Sequence, residues 1–373
     1  MSQNAGILEK EEAMKIEKKL WITLFAFGLF AICFSGWIFS QSTTREKLFW
    51  DNTIRCETKE LKEGEIKSEN IALPEDFDIP RSILFKTTHT IAEVWLDGEK
   101  IYEYGNEPDA PGFMETPGCC WHIVDIPGDS AGKSLEVRII PVYEGYYGNE
   151  VSLVYGTRGD CILKILTDSL GTLVISCGIL FAAVICLILY CGAARRKRRD
   201  KTEAKIEIFL NLGFFSLLVA VWTLVQCGFV QFLIPDGRTL YFVDCFSLFL
   251  FPVPFNFLLC DICKSRYHKV ALVFSSLYLA NMAVDVLLQC TGIIDMSRLL
   301  SVNHVIMVAN AVYTVAIILY EARKKENDVA KKFQYPMYVA MGFGMAEMFL
   351  YYLRRFEQTS ILLSTGIMLF IIM

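Results

Sequence analysis

Six aromatic residues, Trp95, Tyr102, Trp121, Tyr143, Tyr146 and Tyr147, fall in one stretch of the chain. Their flat faces and polar edges suit stacking on sugar rings or other planar molecules, which makes them candidate ligand contacts. The plainer reading is that aromatics of a small β-domain pack inside it. A second group carries charge in apolar surroundings. Asp285 and Glu347 lie in hydrophobic runs, within reach of Arg298, Arg354 or Arg355. Acids so placed avoid lipid and pair, so these residues are candidates for an intramembrane coupling element. His89, Asp97 and His122 are too scattered to converge on a metal, and no metal site is expected. No catalytic set and no cofactor are expected either. A metal hydrolase within the membrane needs clustered His and carboxylates, yet His304 is the one histidine inside a span. A retinal protein needs a Schiff-base lysine in its last helix, and the run from Ile361 has none.

The elements that hold these residues follow from hydropathy. A chain of 373 residues that is 54% hydrophobic, with 27 Phe and a mean hydropathy of +0.39, is too apolar for a soluble fold, yet 21% of it is charged. The charge must collect in loops and one polar domain. A net charge of -5, with the cations in short loops, does not suggest nucleic-acid binding.

The uncharged run Leu170 to Tyr190 is long enough to cross about 30 Å of hydrocarbon as a helix. Arg195, Arg196, Lys197, Arg198 and Arg199 follow it and are held on the cytoplasmic side. Lys10, Lys15, Lys18 and Lys19 likewise hold residues 1–19 in the cytoplasm, ahead of an apolar segment at 20–41 that is an anchor or a signal peptide. Residues 42–168 are then extracellular. Further runs cover 206–226, 240–260, 270–289, 302–320, 335–353 and 361–373, so residues 169–373 form a seven-span domain. The turns at 228–239 and 291–300 face outward, and the loops with Lys264, Arg266 and Lys269 and with Arg323, Lys324 and Lys325 face inward. This describes a multi-pass cell-membrane protein with both termini cytoplasmic and the lipid bilayer as a partner. The last run has 13 residues, about 20 Å of helix, so the chain is expected to continue into the cytoplasm.

Within the spans, Asn211, Gln226, Asp244, Asn256, Asn281, Asp285, Asn303, His304, Asn310 and Glu347 should face the bundle, with interhelical hydrogen bonding as the plain role. Pro252 and Pro254 should kink the third span. Of the external thiols, Cys56, Cys119, Cys120 and Cys161 permit three pairings, and an oxidising compartment favours at least one bridge.

The extracellular stretch alternates with period two, as a β-sandwich does. Asp97-Gly98 supplies the positive-φ pair of a tight hairpin. That turn sets Leu96 against Glu99, Trp95 against Lys100 and Val94 against Ile101, with Ala92, Val94, Leu96 and Ile101 inward and Glu93, Trp95, Lys100 and Tyr102 outward. Leu135, Val137 and Ile139 mark a second strand, and Val151, Leu153 and Tyr155 a third. Short strands with Gly and Pro turns fit a jelly roll, giving an α+β membrane protein.

An anchor, an external jelly roll carrying Val94-Trp95-Leu96-Asp97-Gly98, and seven spans together resemble the bacterial seven-transmembrane receptors with diverse intracellular signalling modules. The hairpin phrase resembles galactose-binding-type sandwiches. The resemblance covers nearly the whole chain and rests on architecture. It implies a sensor domain for a small extracellular ligand, carbohydrate-like in many members. It also implies a C-terminal output module, commonly a GGDEF diguanylate cyclase, histidine kinase or phosphatase, through which two chains can pair as a homodimer. No motif of such a module occurs in these residues, so no enzyme activity is expected of them. The rival reading is a transporter using the buried carboxylates, although inverted repeats and Gly-broken helix pairs are not apparent.

Overall fold

A computed structural model describes residues 53–55, 67–73, 81–106, 110–146, 151–200, 206–263, 266–324, 327–353 and 360–373. The expected anchor at 20–41, Cys56, Tyr147, Arg354 and Arg355 lie outside the described residues. The fold is mixed: strands up to residue 156, then helices.

The strands are β1 (Thr53–Arg55), β2 (Lys67–Ala72), β3 (Arg81–Thr88), β4 (Thr90–Leu96), β5 (Glu99–Tyr104), β6 (Cys119–Ile126), β7 (Ser134–Pro141) and β8 (Ser152–Gly156). They form two four-stranded antiparallel sheets, ordered β1-β8-β3-β6 and β2-β7-β4-β5. Alternation places Ala92, Val94 and Leu96 of β4 and Leu135, Val137 and Ile139 of β7 in one core with Ile83 and Phe85 of β3 and Val124 and Ile126 of β6. Each larger side chain so buried contributes about 1.5 to 3 kcal/mol before entropy is counted.

Asp97 and Gly98 take positive φ, 48° and 86°, closing the β4–β5 hairpin as the residue types require. The register departs from the expectation one step along. Trp95 faces Lys100, but Val94 faces Tyr102, because a bulge inserts Ile101 between them. The extra residue turns Tyr102 to the core side, where it packs on the apolar cluster, rather than beside Trp95.

The helices are α1 (Arg158–Asp200), α2 (Glu207–Val225), α3 (Gly237–Leu250), α4 (Pro252–Ile262), α5 (His268–Cys290), α6 (Leu300–Lys324), α7 (Asp328–Leu353) and α8 (Ile361–Ile372). Among the described residues, five helical segments, with α3 and α4 counted together, are long and apolar enough to cross a membrane. The third of these breaks at Phe251, just before Pro252, where the proline cannot donate its backbone hydrogen bond. None of the ten polar residues expected to face the bundle is exposed.

α1 begins as part of the sheet domain. Thr157 and Asp160 form a capping box: the Thr157 N–H donates to Asp160 Oδ2 at 3.0 Å, and the Asp160 N–H donates to Thr157 Oγ1 at 3.2 Å. Cys161 and Ile165 then pack on Leu84 and Val154, covering the outer face of the first sheet. Cys119, Cys120 and Cys161 are free thiols, so the bridge expected among the external cysteines does not form between these three.

Candidate functional site

The structure does not gather the predicted aromatics into one place. Trp95 is half-exposed on the outer face of the second sheet, where its indole N–H donates to Glu93 Oε2 at 3.0 Å. The Arg138 guanidinium lies 4.4 Å from its ring centroid and Lys100 Nζ lies 5.5 Å away. Tyr102 reaches toward the sheet interior, its hydroxyl 2.9 Å from His122 Nδ1, while His122 Nε2 meets Thr87 Oγ1 at 2.7 Å. Burial pulls the His122 imidazole down to about 3.

Trp121, Tyr143 and Tyr146 stand instead at a seam between the sheet domain and one end of the helix bundle. Strand β4 explains the split, since Trp95 and His89 are about 20 Å apart along it. The seam centres on Asp295, 2% exposed, in the α5–α6 connection. A carboxylate removed from water requires donors, and four converge here. The sheet domain supplies the Thr116 N–H at 3.0 Å, the Glu115 N–H at 3.4 Å and the Tyr143 hydroxyl. The bundle supplies Gln289 Nε2 at 2.6 Å.

Gln289 extends the network. Its amide also donates to the Phe113 carbonyl at 2.8 Å, and its Oε1 accepts from the Met296 N–H at 3.0 Å and the Tyr241 hydroxyl at 3.2 Å. The Tyr241 oxygen in turn accepts from the Ser297 N–H at 3.0 Å. Met114, between these polar anchors, joins the bundle's own apolar core. Burial first, and the bond to Asp295 second, push the Tyr143 phenol up.

His89 links β3 to β4 with φ of 50°, a conformation side chains seldom adopt. Three contacts hold it: its N–H donates to the Gly118 carbonyl, its carbonyl accepts from Val142, and Nδ1 lies 2.8 Å from Thr116 Oγ1. The ring packs on Tyr143, Tyr146 and Tyr241 at 5.3, 5.1 and 5.8 Å. Burial lowers the imidazole to about 4, against the opposing pull of Asp295.

Two further contacts close the seam. Gly118, at φ of 88°, meets the carbonyl of Gly237 so closely that neither could carry a side chain, and a Cβ on Gly237 would strike the Tyr104 hydroxyl. β6 is an edge strand, and Gln231 completes it as a peptide group would: the Trp121 N–H donates to Oε1 at 2.7 Å and Nε2 donates to the Trp121 carbonyl at 2.6 Å. Tyr146 is hydrogen-bonded to Tyr351 of α7, which carries the seam to a second helix.

The predicted membrane residues have separate places. Asp285 accepts from Asn281, one turn earlier on α5, at 2.9 Å. Glu347 Oε2 accepts the N–H groups of Leu362 and Leu363 at 2.8 and 3.2 Å, capping α8 from a neighbouring helix. Arg298 lies over the ring of Tyr143, 5.9 Å from its centroid. Among the described residues no cluster of His, Cys, Asp or Glu suits a metal.

Asp295, Gln289, Gln231 and Tyr241 are absent from the sequence reading. Asp295 carried a faint signal, an acid just before a helical segment, which also reads as an ordinary turn residue. The chain matches no protein-family model, no curated protein and no solved structure.

Proposed function

We propose that the chain is a membrane receptor whose sheet domain senses a small extracellular molecule and whose helices pass the change to a cytoplasmic output module. The observation that carries this reading is the Asp295 carboxylate, shared between Thr116 and Tyr143 of one unit and Gln289 of the other. A sensor joined only by a linker would move without consequence for the helices. Here any change of posture must break or re-aim directional bonds at a buried charge, which is how a ligand's preference for one posture becomes a shift in the bundle. α1 supports the same reading, running 43 residues, about 64 Å, from the sheets to the basic cluster at Arg195.

The finer architecture belongs to this proposal. The order β1-β8-β3-β6 over β2-β7-β4-β5 is what interleaved Greek keys produce and supports a jelly roll. Taking α3 with α4 leaves seven helical units after the sheets among the described residues, which supports seven spans with the Lys/Arg loops inside. On this basis the chain is a candidate member of the bacterial seven-transmembrane receptors with diverse intracellular signalling modules. For a carbohydrate, the suitable surface is Trp95 with Glu93, Lys100, Glu136 and Arg138, an aromatic face ringed by hydrogen-bonding groups.

The test uses the chain in nanodiscs, spin-labelled at Lys269 and Lys332, against a panel of mono- and oligosaccharides. The expected result is a sugar whose binding shifts the label distance in the wild type and not in Asp295→Asn. Accumulation of that sugar inside proteoliposomes, with the label distance unchanged, would make the protein a transporter instead.

A further inference from the structure

The bundle contains a second feature, which shares Tyr351 with the seam and lies apart from the Trp95 surface. A cavity of about 160 Å³ lies among α2, α3, α4, α5, α6, α7 and α8. Beside it Phe249 and Leu258 are fully buried. A space of about 150 Å³ holds a single benzene-sized ring. Phe215, Trp222, Phe251 and Phe255 supply aromatic wall, and Met307, Met341, Met345 and Met348 line it as well. Methionines adapt their shape and make favourable contacts with ring edges, which suits a mobile aromatic occupant better than it suits a fixed core.

Besides Trp222 and Asn310, whose indole N–H and amide oxygen are buried without partners among the described residues, the lining carries a second polar group. His304 near the start of α6 and Glu347 and Tyr351 near the end of α7 make up that group, with the His304 and Tyr351 rings 5.4 Å apart. His304 Nδ1 is 2.9 Å from the Tyr352 hydroxyl. Its Nε2 makes no hydrogen bond among the described residues and is left to take one from an occupant of the cavity. Met345, 41% exposed, forms part of the rim, so the cavity opens at the bundle surface, where a molecule dissolved in lipid could enter.

We propose that this cavity is a binding site for a small phenol-like molecule: one aromatic ring among the methionines, with its single hydroxyl on His304 Nε2. Such molecules partition into bilayers and reach the site from the side. Their recognition asks nothing of the sheet domain, so the site stands whether or not that domain binds sugar.

The experiment titrates 4-fluorophenol into the whole chain in nanodiscs and follows it by fluorine NMR, with empty nanodiscs subtracted. The expected result is saturable binding, lost in Ala311→Phe and in Met345→Trp, which fill the cavity and its rim. His304→Phe should weaken 4-fluorophenol about 10-fold, the worth of one hydrogen bond, and leave fluorobenzene unchanged. Circular dichroism identifies any variant that fails to fold, and either of the others then decides. Uptake that never saturates, saturable binding kept in the folded filled variants, or a co-purified lipid that the probe does not displace would each overturn the proposal.

Discussion

Asp295 and Glu321 are buried carboxylates at the two ends of α6, and the protein satisfies them by different means. Asp295 receives only neutral donors, two of them backbone N–H groups, from two separate units of the fold. Glu321 receives the Arg266 guanidinium at 2.8 Å, the Tyr267 hydroxyl at 3.1 Å and Asn327 Nδ2 at 3.2 Å, all from the bundle's own loops. A cation neutralises a carboxylate from many angles. Neutral donors must be aimed, so the Asp295 arrangement fixes orientation as well as contact. The seam thus joins two units in one orientation, and the far end ties two loops together.

The largest expected effect tests the first half of that contrast. Asp295→Ala leaves the Thr116 N–H, the Tyr143 hydroxyl and the Gln289 amide without their acceptor in a buried place, which should cost about 3 to 5 kcal/mol. Asp295→Asn restores shape but offers an N–H₂ group where donors already converge, and about half that loss is expected. Thermal unfolding in nanodiscs reads the cost, and protease cleavage at 111–117 reads whether the sheet domain has lifted. Cleavage as slow as in the wild type would mean that the apolar contacts of Met114, not the aimed donors, hold the seam.

Next comes pH, which acts on the seam through His89. Its folded value of about 4 lies below the ordinary 6.5, because burial disfavours the cation. The unfolded chain therefore binds the proton first, and stability is full above pH 6.5 and falls as pH drops from 6.5 to 4. The loss approaches about 3 kcal/mol at the bottom of that window and about 2 at pH 5. His122, held down to about 3 inside the sheet domain, adds a loss of the same sign. His89→Phe should flatten the dependence of seam protection between pH 6.5 and 4. An equal slope in that variant would assign the acid sensitivity to groups other than His89.

The far end should respond less. Glu321→Gln keeps an acceptor for Tyr267 and loses the attraction of Arg266, whose side chain is 45% exposed and shares its charge with water. About 1 to 2 kcal/mol is expected, with 111–117 as protected as before. Raising salt to about 1 M should weaken this end and leave the Asp295 network alone, since only the former contains an ion pair open to screening. A salt effect of equal size on both ends would erase the distinction.

What the sequence disclosed and what it withheld follow the same division. Local rules placed the Asp97-Gly98 turn, the alternation of Leu135, Val137 and Ile139, and the break before Pro252, because each depends on residues a few positions apart. The bulge at Ile101 was hidden, since Ile101 and Tyr102 both pack on the core, and the partner of the Tyr102 hydroxyl, His122, lies 20 positions away. Asp295 meets Thr116 across 179 positions, and Gln231 meets Trp121 across 110. No periodicity links such pairs.

The smallest effect concerns Gln231, and two substitutions separate its possible roles. Its side-chain amide stands in for the next strand at the open edge of β6, giving and taking one hydrogen bond at Trp121. Gln231→Ala removes both, but Trp121 is only half-buried and water can replace them, so about 1 kcal/mol is expected. Gln231→Glu is nearly isosteric and still accepts from the Trp121 N–H, yet places a carboxylate oxygen against the Trp121 carbonyl. If strand-like pairing is what matters, the Glu variant should be no better than Ala and should expose the Trp121 amide to hydrogen exchange as much. If the side chain matters only as packing against the indole, Glu should keep wild-type protection while Ala loses it.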